Sequence, residues 1–134
     1  MGVTPGGGGG IAGQTFGIPF SINGFGQILT TGYKGNTIAL PCAGTLTGVY
    51  IAADQSGSVV LDIWKIAFAS LASIAVGNSI TASAKPTLST ERIKADTTLT
   101  GWTKTFAAGD CFGYNIDSVA TITRLDGMLI FTRL

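Results

Sequence analysis

DQSGSVVLDIWK, residues 54 to 65, is the stretch whose reading decides the fold. Asp54, Gln55, Ser56 and Gly57 are all turn formers, and the residues after them read as a strand. Successive strand side chains alternate between faces, so Val60, Asp62, Trp64 and Ile66 share one side. Val59, Leu61, Ile63 and Ala67 share the other. Asp62 therefore stands between large apolar neighbours, and a carboxylate there is catalytic, ligand-binding or structural.

The same period-2 alternation extends outward along the chain. FGIPFSI (16–22) places Phe16, Ile18, Phe20 and Ile22 on one side, and the turn residues Asn23, Gly24 and Gly26 lead on to QILTTG. TIALPC (37–42) runs through Ala43-Gly44 into TLTGVYIAA (45–53), ahead of the turn expected at 54–57 and the strand SVVLDIWKIAF (58–68). The middle, 69–100, is weaker in pattern. LASIAVGNSI (71–80) suits a short helical turn, and Pro86 with TLSTERIKADTTLT suggests loop with short strands. TGWTKTFAAGDCFGYNID (100–117) supplies two strands around Ala108-Gly109-Asp110. TITRLDGMLIFTRL (121–134) is one bent strand or a hairpin about Asp126-Gly127. About eight strands at this spacing, with no long helix, predict an antiparallel β-sandwich or jelly roll over 16–134.

Composition narrows the function. The chain has 134 residues, enough for one domain with an ordinary core. Only 11% are charged, against about 25% in typical soluble domains, while 46% are hydrophobic. Much of the surface is thus neutral or meets another protein, the signature of an assembly component. Formal net charge is +1 with lysines and arginines scattered singly, so no basic stripe follows a nucleic-acid backbone. No apolar run reaches the ~20 residues of a membrane helix, and MGVTPGGGGG lacks the basic and apolar regions of a secretory signal. Residues 1–15 hold too little apolar material for a core. They read as a linker, or as an extended glycine-rich arm that orders against a neighbouring subunit, and the arm is the expectation adopted here.

The chain has no histidine, which removes Ser-His-Asp and Cys-His nucleophile systems and His-ligated metals. Cys42 and Cys111 cannot form a structural zinc site alone; they read as two reduced, buried thiols, with a disulfide between them as the alternative. Nothing in the spacing pairs Asp62 with Asp117, or Asp54 with Asp110, as hydrolytic carboxylates. The glycine run lacks the Lys-Ser/Thr ending of a phosphate loop. DQSG suits an Asx turn better than a calcium loop. Trp64 and Tyr114 read as core or interface; Trp102, beside turn residues, has the best case for exposure of the three, yet it too reads first as core. An acid on an apolar strand must be paired or hydrogen-bonded. Asp62 and Asp117 are accordingly assigned a structural role, with Lys65 and Arg124 as the available cations. The expected class is non-enzymatic, without a cofactor.

DQSGSVVLDIWK with ITASAKPTLS (80–89), TTLTGWTKTFAAGDCFGYNIDSVATITR (97–124) and TTGYKGNTIALPCAGTLTGVYIAADQSG (30–57) resembles a domain of tailed-bacteriophage structural proteins. It occurs there as the head of tail or fibre proteins, or as a small stand-alone virion protein. The resemblance covers about residues 27 to 132. It implies a jelly-roll β-sandwich, usually trimeric and without catalysis. Two departures matter: IAFASLASIAVGNS follows the DIWK strand where the pattern has proline and aromatic residues, and no fibre shaft precedes the domain.

An arm with a compact head suits a homotrimeric capsid decoration (cement) protein on the outer surface of the virion, assembled in the host cytoplasm. Its expected partner is the major capsid protein, or a tail or baseplate subunit. Docking would fall to Val3, Thr4, Pro5, Gly6, Gly7, Gly8, Gly9, Gly10 and Ile11. Trimer contacts would fall to Phe16, Ile18 and Phe20 and to Ile66, Phe68, Leu71, Ile74 and Val76. The alternative is a tail-fibre head recognising a host glycan through Trp102, Tyr33 and Asn36.

Overall fold

The computed structural model describes residues 11–134. Seven strands follow in order: β1 (Thr15–Asn23), β2 (Gly32–Thr37), β3 (Gly44–Ala67), β4 (Thr87–Asp96), β5 (Thr105–Phe106), β6 (Asp110–Ala120) and β7 (Arg124–Arg133). Two short 3-10 turns, Phe68–Ser73 and Val76–Asn78, lie between β3 and β4. All pairings are antiparallel and run β1-β7-β3-β6-β2, with β4 and β5 on the second edge of β3.

The long strand β3 makes two layers out of this one curled sheet. Its first half, Gly44 to Ala53, pairs with β7, and its second half, Ser58 to Ala67, pairs with β6. Strands β6 and β7 thus lie end to end along one edge of β3, and the sheet folds over between them. Phe20 of β1 stacks on Tyr114 of β6 at 4.1 Å, and Phe131 of β7 meets Phe112 of β6 at 5.7 Å, so the two layers close face to face. Phe106 wedges edge-on against both Phe112 and Phe131. Val59, Leu61 and Ile63 point into this core and are at most 1% exposed. The result is a jelly-roll-like β-sandwich.

The expected turn at 54–57 does not end a strand. Those residues are the bend of β3, where four of them face the break between β6 and β7 and the pairing with β4 shifts register. Turn formers bend the strand without reversing it because their polar groups are used across the break. The Asp54 carboxylate accepts from the Thr123 amide (2.9 Å), the Thr123 hydroxyl (2.7 Å) and the Arg124 amide (3.0 Å). Gln55 donates to the Thr121 carbonyl at 2.8 Å. Gly57 is needed for closeness, since a Cβ there would stand 2.7 Å from the Ala120 carbonyl oxygen.

Other expectations also change. TLSTERIKAD is a full edge strand, β4, rather than loop, because pairing to β3 supplies the order that its polar sequence does not. Asp126-Gly127 is no hairpin. Strand β7 runs straight through it with β1 on one side and β3 on the other, and the Phe20 ring fills the space a Cβ on Gly127 would need. TIALPC is mostly a loop that buries Leu40 and Cys42, and the strand before it is GYKGNT. At the N-terminus, Gly13 donates to the Arg133 carbonyl and Arg133 to that of Gln14. The β-domain ladder therefore begins two residues inside the stretch 1–15.

Hydrogen bonds, first of all that from the Thr123 hydroxyl, hold the Asp54 carboxyl down to about 2 from its ordinary 3.8. A depressed carboxylate stabilises the fold fully above its unfolded value and loses that contribution as pH falls through the folded one. Thermal melting should therefore show a stability loss between about pH 4 and pH 2 that is absent in Asp54→Asn, which should also melt lower at neutral pH. A variant that melts like the parent across this range would show that the bend does not need the carboxylate.

Candidate assembly surface

The side of β3 opposite the core differs between the two layers. In the second layer it carries Asp62 and Trp64, both buried. The chain from the 3-10 turns to Lys85 covers them: Ser79 bridges to Trp64, and the Ile80 amide bonds to the Ile63 carbonyl. Ile74 packs over Gly113 beside Tyr33, whose ring stacks on Trp64 at 5.7 Å.

Asp62 is 1% exposed and fully used. One oxygen accepts from the Ser79 hydroxyl (2.6 Å) and the Thr81 hydroxyl (2.7 Å); the other accepts from the Trp64 indole N–H (3.0 Å) and lies 3.9 Å from Lys85 Nζ. Lys85 in turn binds Asp117 at 2.6 Å, and Asn115 donates to Asp117 at 2.7 Å. This hydrogen bond with Asp117 raises the Lys85 pKa, so the ammonium persists throughout the neutral range. The cation is Lys85, not Lys65 or Arg124. Lys65 lies 3.8 Å from Asp110, and Arg124 bonds Asp126 at 3.1 Å. Lys85 follows a loop whose path local pattern does not show. With both oxygens hydrogen-bonded and the Lys85 ammonium beside one of them, this carboxylate binds the covering segment to the sheet.

In the first layer no described residue covers the outer side. The register sets up rows across four strands: Pro19–Met128–Tyr50–Ala95, then Ser21–Asp126–Ala52–Ile93, with Gly17–Ile130–Gly48 beside them. Asp126 is the charged member, held by the Ser21 hydroxyl at 2.6 Å and by Arg124. A solvent-facing antiparallel sheet normally alternates apolar inward with polar outward. Here the outward rows are apolar or small, and Ile93 and Tyr50 are 69% and 47% exposed. A depression of about 660 Å³ lies among Tyr50, Ala52, Ile93, Ala95 and Met128. Contiguous apolar surface of this kind marks a contact site.

Phe16, Ile18 and Phe20, expected at a trimer contact, point inward from β1 instead. Phe20 is buried, and Phe16 stacks on Phe131 at 5.2 Å. Alternation correctly groups them on one face, but that face is the chain's own core. In the second group, Phe68 and Val76 are exposed, while Ile66, Leu71 and Ile74 are half-buried. Val3 to Gly10 lie outside the described residues, and Ile11, the first described residue, is exposed. Trp102 is buried, and its indole donates to the Ala84 carbonyl, so it presents no ring to a sugar. Tyr33 and Asn36 are exposed and hydrogen-bonded to each other. Cys42 and Cys111 are buried free thiols. Among the described residues no three potential metal ligands converge. The sequence reading missed Tyr50, Ile93 and Met128 because each lies on a different strand.

Asp62→Ala would strand two hydroxyls, an indole N–H and a nearby ammonium, and should cost about 3–5 kcal/mol. Chemical denaturation followed by tryptophan fluorescence measures it. A cost within the range of ordinary surface substitutions, about 0.5 kcal/mol, would refute the bracket.

No family model matches the chain, and no curated protein is similar to it. Among solved structures, a chain of the capsid of Ralstonia phage GP4 aligns over 92% of this chain and 87% of its own, at 11% identity and a TM-score of 0.55. A looser alignment, to the cyanophage Pam1 capsid asymmetric unit, covers 98% of this chain and 92% of that one at 13% identity and a TM-score of 0.41. The chain thus shares its fold, over nearly its whole length, with a component of the GP4 capsid structure.

Proposed function

We propose that this chain is a structural protein of a bacteriophage virion, and that within the virion it is a homotrimeric decoration protein on the outer surface of the head. The observation that carries the reading is the end-to-end likeness in fold to a chain of a phage capsid, with both chains of similar extent. Composition supports it. A chain with 11% charged residues and an apolar sheet face that no described residue covers has surface to spend on neighbours.

In this reading the glycine-rich arm, Val3 to Ile11, lies on coat subunits, and apolar crests such as Phe68 and Val76 meet adjacent copies. Each contact adds area worth ~25 cal/mol per Å² of apolar surface, repeated over many copies, and binding to the assembled shell alone stabilises it by linkage. No chemistry on substrate is involved and no cofactor is needed. The tail-fibre alternative loses its best aromatic, since Trp102 is buried, and retains Tyr33 and Asn36.

Stoichiometry in purified virions, by quantitative mass spectrometry against the major coat protein, tests the placement. A ratio approaching that of the coat is expected. A ratio of a few copies per particle would move the protein to the tail and overturn the decoration reading.

A further inference from the structure

The loop between β1 and β2 holds a phenylalanine where its backbone suits a smaller residue. The Gln27 amide donates to the Gly24 carbonyl at 3.0 Å, closing a turn whose central residues, Phe25 and Gly26, have φ of +52° and +87°. A turn with both central φ values positive favours Gly, Asn or Asp there, because a bulky side chain crowds the backbone. Gly26 obeys that rule and Phe25 breaks it. Phe25 is also 86% exposed, so no packing within the described chain offsets the strain. The turn is nonetheless braced. The Phe25 amide donates to the Asn23 side chain at 2.7 Å, the Gly24 amide to the Thr123 carbonyl at 2.7 Å and the Leu29 amide to the Ile122 carbonyl at 3.0 Å. Thr123 is itself fixed by Asp54 across the bend of β3. A strained aromatic held out into solvent on a firm base is a contact residue in search of its pocket.

We propose that Phe25 of one copy seats in the depression among Tyr50, Ile93 and Met128 of the next, and that this contact joins the homotrimer head to tail. Charge fits on both sides. Residues 23–28, NGFGQI, carry none, and the depression is apolar but for groups already paired: Asp126 with Ser21 and Arg124, and Lys94 with Glu91 at 3.7 Å. Docking therefore strips no unpaired ion of its water. Size fits as well, since about 660 Å³ admits the Phe25 ring and leaves room for Ile28, 59% exposed on the same loop. Knob and hole are different patches of one chain, so the contact is heterologous, the kind that closes into rings. Burying one aromatic removes roughly 150–250 Å², well below the ~800 Å² per partner of a stable two-body interface. A single contact is thus weak. Ring closure favours it, because each copy then uses its knob and its hole together.

The contact rests on the homotrimer of the decoration reading and not on its place in the virion, which copy number tests, so the two can fail separately. Full-length protein carrying Phe25→p-benzoylphenylalanine, purified alone and irradiated, puts a photo-cross-linker on the knob; an exposed aromatic is replaced by an aromatic, so the fold is kept. The expected products have the masses of two and three chains, with position 25 joined to residues 50–52, 93–95 or 126–128 of another copy. Phe25→Asn, a residue this turn prefers, should fold and yet associate about thirtyfold more weakly by sedimentation, the loss that marks an interface hot spot. Ile93→Asp alters the hole instead of the knob, at a position 69% exposed, and should weaken association in the same way. A product of one-chain mass, a cross-link to any other segment, or no multi-chain product overturns the proposal. So does either substitution if its association matches that of the parent.

Discussion

The architecture depends on one carboxylate at one bend. Strand β3 is long enough to belong to both layers, and it can do so only if the sheet breaks cleanly where β6 gives way to β7. That break leaves the Thr123 and Arg124 amides without ladder partners, and Asp54 supplies them from across the bend. The Thr123 amide, on a half-buried residue, needs such a partner; Arg124 is exposed and its amide joins the same carboxylate. A strand bent at this point without an acceptor would either straighten, separating the layers, or lose pairing on one side. The aromatic cluster that closes the sandwich, Phe106, Phe112 and Phe131, can form only after this bend has brought β6 and β7 face to face.

The two outer faces resolve one problem in different ways. Both halves of β3 carry outward residues that a solvated sheet would not choose. In the second layer the chain covers them itself, and Asp62 fastens the cover through hydroxyls, an indole and a lysine. Burying an acid in this way costs desolvation, which full hydrogen bonding offsets. In the first layer no described residue covers Tyr50, Ile93 or Met128. Surface left bare over four strands is costly in water for a lone chain, and that cost falls once a neighbour or a strap covers it.

This division of labour suits an assembly component. One layer is closed over by the chain itself, while the described residues of the other leave a shallow apolar depression among Tyr50, Ile93 and Met128. Over nearly its whole length the chain shares its fold with a chain of the GP4 capsid structure.

Much of the fold was legible in the residues themselves. Alternation placed Val59, Leu61 and Ile63 together and opposite Asp62 and Trp64, because a strand's side-chain period is a local property. The lack of histidine removed whole classes of chemistry, and an acid among apolar neighbours had to be satisfied wherever the chain went. Tertiary structure alone decided the rest. DQSG could be read as turn or bend until β6 and β7 stood across from it. TLSTERIKAD became a strand only by pairing with β3, and Phe16, Ile18 and Phe20 were one face before it was known to be the inner one. Lys85 rather than Lys65 or Arg124 reached Asp62, and Tyr50, Ile93 and Met128 became neighbours through register. Register and partner choice are long-range properties: pairing and packing set them between residues far apart in the chain, and no local pattern encodes them.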